Sequence, residues 1–133
     1  MRSLTIDVPS TMRVRVSELE RTVMGSEVDT IVFQPPGTES LVPALLRRFS
    51  DGDADALVTV ETVHEAVKRV RGGLVQTGVD RADIVTVVGP EVVSRAALAT
   101  ALLDPPHEPA IDPAAFLVGR GGRVLAFPVR SRE

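Results

Sequence analysis

Asp7, Gln34, Thr38, Glu39, Glu61, His64 and Glu91 each fall at or just past the end of a segment with strand composition. In open α/β sheets, ligands bind beyond the carboxyl ends of the strands. The spacing therefore predicts one shared rim. Four carboxylates and a histidine could there hold a divalent cation or carry out acid–base work. The same positions also have a purely structural use. Glu39, Glu61 and Glu91 stand near expected helix N-termini, where a carboxylate meets the positive end of the macrodipole.

The remaining candidates are thinner. His64 falls in an expected first helical turn, beside the Val63–Val67 stripe, as a general base or a boundary histidine. His107 lies in a proline-rich stretch, and no metal-ligand spacing pairs it with His64. Ser40 and Ser94 lack the G-x-S-x-G context of a nucleophile elbow. Gly37-Thr38-Glu39-Ser40 and Gly89-Pro90-Glu91 stand where a strand should give way to a helix, a place suited to anions. Neither matches a Walker or dinucleotide fingerprint, and each carries a Glu where a phosphate would sit. Arg95, one turn on, is the nearest cation. The candidate ligand-binding set is thus Asp7, Thr38, Glu39, Glu61, His64, Glu91 and Arg95. No catalytic residue, metal site or cofactor is assigned.

The elements that must position this set alternate along the chain. Ser3–Val8 has strand composition and stops at Pro9-Ser10. Thr11–Val16 alternates with period 2, as a hairpin partner or a lead into a helix. Ser17 and Glu20 fit a capping box, opening a helix to about Met24-Gly25. Val28–Phe33 is the next strand, followed by a helix from Ser40 with Pro43 in its first turn. Ala56–Val60 is a third strand. Thr62 and Glu65 then predict a capped helix with Val63, Val67, Val70 and Leu74 on one stripe, interrupted at Gly72-Gly73.

Ile84–Val88 is apolar on both faces, as a central covered strand should be. Ile84, Val85, Val87 and Val88 are accordingly expected in the core. Pro90 at N1 with Glu91 in the first turn predicts a buried helix reaching about Leu103. Pro105–Pro113 reads as a loop. Ala115–Val118 and Val124–Val129, joined across Gly119-Arg120-Gly121-Gly122, predict a closing β-hairpin. Strands alternating with helices imply a three-layer α/β fold: a mainly parallel sheet, helices on both faces and a C-terminal antiparallel hairpin.

Composition narrows the function classes. The 133 residues suit one α/β domain spanning 1–133. With 22 Val, four Phe and no Trp or Tyr, the core must be aliphatic, and Val leans it toward sheet. The absence of Cys excludes disulfides and thiolate chemistry. A net charge of −3 argues against nucleic-acid binding, which needs a clustered basic face. Only Arg120, Arg123, Arg130 and Arg132 gather toward the tail. No apolar run approaches the ~18 residues of a membrane span, and no signal-peptide pattern opens the chain, so no membrane association and a cytoplasmic location are expected.

Three segments carry a family resemblance: VDTIVFQPP, DIVTVVGPEVVSRAALATALL and AAFLVGRGGRVLAFPV. In order they resemble the second strand, the late strand and helix, and the closing pair of the histidine phosphatase (phosphoglycerate-mutase-like) superfamily. Pro35 is the one motif-level echo. The family's residues do not carry over. Asp7-Val8-Pro9 stands where Arg-His-Gly is expected, Thr38 or Glu39 where an Arg follows Ser-Pro, and Pro90 where the second His belongs. The resemblance thus implies a pseudoenzyme without phosphohistidine chemistry.

Two functions follow. The first is a non-catalytic α/β domain acting through protein–protein contacts, as a homodimer or with another protein. The second is a small enzyme or ligand-binding domain using the acidic rim, with or without a divalent cation.

Overall fold

The computed structural model describes residues 2–62, 67–71, 74–79 and 85–129. Five strands form the central sheet: β1 (Ser3–Asp7), β3 (Thr30–Gln34), β7 (Val85–Ser94), β4 (Ala56–Thr62) and β9 (Val124–Val129), in that spatial order. β1 pairs parallel with β3, and β4 parallel with β9. β7 lies between β3 and β4 and is antiparallel to both. Four strands therefore point one way and β7 the other, so the α/β class holds with a sheet of mainly one direction.

Alternation along each strand divides the core in two. Ile31, Phe33, Ala56, Val58, Val60 and Val93 face one layer, made by α1 (Val16–Gly25), α3 (Arg95–Ala101) and α4 (Pro113–Gly119). Val32, Leu57 and Val92 face the other, where α2 (Val42–Ser50) lays Leu45 and Phe49 across the sheet. Those two residues are four apart, which puts them on one helical face. Leu19 and Val23 do the same for α1. Pro43 sits in the first turn of α2, where its missing N–H leaves no bond unmade.

Several expectations are corrected. Thr11–Val16 does not pair with β1. Its end forms β2 (Val14–Arg15), antiparallel to β8 (Ala110–Ile111), and runs straight into α1. The helix expected from Thr62 to Gly78 is overturned over its described residues, which form β5 (Val67–Arg71) and β6 (Leu74–Val79), paired antiparallel with each other. Its proposed cap residue Glu65 and His64 lie outside the described residues, as do Val63 and Ile84.

The helix expected from Pro90 begins five residues later. β7 continues through Gly89-Pro90-Glu91, because Val92 and Val93 are both fully buried in sheet pairing with β3 and β4. β-branched residues pack better there than in a helix. The proline is accommodated by an irregularity opposite Thr59, between Val58 and Val60. The Thr59 hydroxyl donates to the Pro90 carbonyl at 2.8 Å, replacing a ladder bond. Ser94 then caps α3, its hydroxyl accepting from the Ala97 N–H at 3.2 Å. Val87 is not core: it is 44% exposed.

The antiparallel element is also relocated. Ala115–Val118 is not a strand but lies within α4. Asp112 caps that helix by accepting from the N–H groups of Ala114 and Ala115, and Pro113 occupies its first turn. The N–H of Gly122 returns to the Leu117 carbonyl at 2.8 Å and closes the helix. Val124–Val129 then enters the sheet as a parallel edge beside β4, so no hairpin forms at this end.

Candidate functional site

Because β1, β3, β4 and β9 run in one direction, their carboxyl ends meet at one rim, joined there by the amino-terminal half of β7. The loop after β1 folds back onto this rim. The Val8 N–H donates to the Gln34 carbonyl at 3.0 Å, and Met12, buried with φ 60°, seals the turn. The loop after β3 is shaped by Pro35, Pro36 and Gly37 (φ 79°). The Thr38 hydroxyl donates to the Pro35 carbonyl at 2.8 Å, and the Leu41 N–H to the Thr38 carbonyl. A single 3-10 turn, Glu39–Leu41, leads into α2.

Between this loop, the end of β4 and the start of β7 lies a cleft of about 270 Å³. Thr38, Ser40, Glu61 and Gly89 are on its walls, with Val88 and Val129 supplying apolar surface. Gly89 has φ 66°, a conformation that favours glycine. It is also where β7 meets the loops after β1 and β3. A Cβ there would stand 2.5 Å from Pro35 Cγ and 3.0 Å from Met12 Sδ. Gly89→Ala should therefore destabilise the protein by at least ~1–3 kcal/mol and distort the cleft. Denaturant unfolding monitored by circular dichroism checks this, and an unchanged midpoint would mean that the two loops do not pack against Gly89.

The structure brings only part of the candidate set together. Thr38 and half-buried Glu61 share the cleft. Asp7 and Glu39 are exposed on the same rim but outside it. Glu91 and Arg95 are elsewhere, because β7 runs on and carries them away. Arg95 lies at the opposite end of the sheet. Its Nε donates to the Val28 carbonyl at 2.6 Å and its N–H to the Asp29 carbonyl, a staple between α3 and the approach to β3.

Glu91 is buried beneath α4 with no exposed surface. Burial, and then the neighbouring Asp112 carboxylate, push its carboxyl up to about 9. Among the described residues, no three His, Cys, Asp or Glu side chains converge as a metal site. Ser40 and Gly89 are cleft residues that the sequence analysis weighed only as parts of two possible anion loops and left out of the candidate set. Gly89's signal was its position at the end of an apolar strand, which was used instead to start a helix.

No protein-family model and no curated protein matches the sequence. Solved structures do match in fold. The 2-C-methyl-D-erythritol 4-phosphate cytidylyltransferase of Thermus thermophilus superposes with a TM-score of 0.65 at 18% identity, over 86% of this chain and 58% of that one. The Francisella tularensis enzyme of the same name gives 0.64 at 16% identity, over 85% and 56%. A 4-diphosphocytidyl-2C-methyl-D-erythritol synthase from Anaerococcus prevotii gives 0.66 at 11% identity, over 85% and 52%.

The fold is thus that of cytidylyltransferases, and the chain spans a little over half the length of these neighbours. It is not the fold of a histidine phosphatase. These fold neighbours overturn the histidine-phosphatase resemblance, the pseudoenzyme it implied and the non-catalytic domain acting through protein–protein contacts. The position assigned to the family's second His is Pro90, inside a strand rather than at its end. No helix among the described residues is long and apolar enough to cross a membrane.

Proposed function

We propose that this chain is a nucleotidyltransferase-type domain that binds a cytidine nucleotide and a phosphorylated polyol at the cleft formed by Thr38, Ser40, Glu61 and Gly89. The observation that carries this is the fold, matched over 85–86% of the chain to enzymes named for that chemistry. The cleft stands where α/β sheets place ligands, at the carboxyl ends of the strands. In the reaction, a phosphate oxygen of the polyol phosphate attacks the α-phosphorus of the triphosphate. The α–β bridging bond breaks and pyrophosphate leaves.

The chemistry of the cleft assigns the parts. Glu61 is an acceptor that suits ribose or polyol hydroxyls and would repel a bare phosphate. The Ser40 hydroxyl is a neutral donor for a phosphate oxygen, while the Thr38 hydroxyl, its proton held by the Pro35 carbonyl, keeps the loop in shape. A divalent cation would arrive with the triphosphate rather than on a preformed protein site. Calorimetry with CTP and with 2-C-methyl-D-erythritol 4-phosphate, each with magnesium, should show binding of at least one. Glu61→Ala should weaken it about tenfold, or roughly 1.4 kcal/mol. Binding that ignored Glu61 would move the site elsewhere.

A homodimer in the cytoplasm, where nucleoside triphosphates are made and used, belongs to this proposal. Val87, Val118 and Leu125 are exposed around one groove, an apolar surface suited to a second copy. Light scattering should return twice 14.2 kDa. A monomer at all concentrations would remove the dimer and leave the cleft untouched.

A further inference from the structure

Beneath α4, two carboxyl groups converge on one donor. The Ala114 N–H lies 3.3 Å from Glu91 Oε2 and 3.1 Å from Asp112 Oδ1. Asp112 is also held by the Ala115 N–H at 3.4 Å. Glu91 Oε1 has no partner at all and is fully buried. Two carboxylates side by side cannot both be ionised cheaply, and one N–H cannot satisfy them. Among the described residues no cation forms an ion pair with either; on its outer side Asp112 borders a second pocket together with Arg13, His107, Glu108 and Arg120. β3 opposes Glu91 with Phe33 and β4 with Val58. The groove of about 290 Å³ beside Glu91 is walled by β4, β9 and α4, and Asp112 is its only other charged residue.

We propose that Glu91 and Asp112 share a single proton, and that this acid pair is an alkaline-sensitive latch holding the amino terminus of α4 against β7. The proton turns the orphaned Oε1 into a donor toward Asp112, so every oxygen of Glu91 has a partner. Its loss leaves a fully buried charge on Glu91 beside the half-buried charge of Asp112, and the two separate most easily by lifting the first turn of α4. Ala114, Ala115 and Val118 of that helix form one wall of the groove, so release of the latch widens it. The latch is independent of what the cleft binds.

The direct test follows glutamate carboxyl resonances in protein labelled with carboxyl-¹³C glutamate, from acid to alkaline pH. One resonance, missing in Glu91→Gln, should keep its protonated position at neutral pH and titrate near 9. The Ala114 amide should move with the same midpoint. Asp112→Asn keeps the helix cap but removes the neighbouring charge, and should lower that midpoint by about one unit or more. It also secures the assignment if Glu91→Gln does not fold. All glutamates titrating near the ordinary 4.5 would overturn the shared proton. A midpoint unchanged in Asp112→Asn would overturn the pair, and an Ala114 amide that does not follow Glu91 would overturn the latch.

Discussion

Val92→Asp should prevent folding, whereas Val87→Asp, five residues earlier on the same strand, should leave a soluble, cooperatively unfolding protein. Val92 has no exposed surface and packs with Val32, Leu45, Phe49 and Leu57 between the sheet and α2. An aspartate there buries a charge with no partner, costing several kcal/mol against a total stability of roughly 5–15. Val87 is 44% exposed, so its aspartate stays in water and costs about 1 kcal/mol or less. Soluble expression and thermal unfolding of the two variants decide the matter. The reverse outcome would mean that β7 faces the other way.

Raising the pH should destabilise the wild-type protein steeply, and Glu91→Gln should remove most of that dependence. Glu91 titrates near its ordinary 4.5 when unfolded and at about 9 when folded. Between those values the folded state holds a proton that the unfolded state has lost. Its contribution is therefore fully present below 4.5 and is lost progressively as pH rises toward 9. The slope for one proton is about 1.4 kcal/mol per pH unit, so the total loss is on the order of several kcal/mol. A glutamine keeps the acceptor for the Ala114 N–H and offers Asp112 a donor, with nothing to titrate. Urea unfolding at acid, neutral and alkaline pH should give sloping stabilities for the wild type and nearly level ones for Glu91→Gln. Parallel slopes would remove Glu91 as their source.

The strands were the legible part of the fold. Ile31-Val32-Phe33 and Ala56–Val60 pack into both layers, and their apolar runs mark them as covered strands without any knowledge of pairing. What failed were segments whose local signals fit two periods. Pro90-Glu91 looks like a helix start, but Val92 and Val93 gain more from pairing on both sides than a helix could offer. Ala115–Val118 is four apolar residues, too few to show a period. The cue that settles it is Asp112-Pro113, a cap followed by a proline at the first helical position. In 67–79 the stripe Val67, Val70, Leu74 outweighed two adjacent glycines, Gly72-Gly73, which disfavour a helix.

The site divides the same way. The rule of strand carboxyl ends needs only the strands, and with β3 and β4 placed it puts Thr38 and Glu61 on the rim, where both line one cleft. Glu91 and Arg95 were misplaced by the error in β7. Extending a strand by five residues moves everything after it along the sheet, and carried Arg95 to the far end. The pairing of Glu91 with Asp112 spans β7 to α4, and no local pattern announces such a contact.

Chemical-shift mapping on the ¹⁵N-labelled chain, titrated with CTP and magnesium and then with 2-C-methyl-D-erythritol 4-phosphate, tests the central claim most directly. The nucleotidyltransferase proposal predicts saturable shifts concentrated at Gly37, Thr38, Ser40, Leu41, Glu61 and Gly89, the residues around the cleft. Shifts absent at millimolar ligand, or confined to the groove beside Val87 and Leu125, would contradict it.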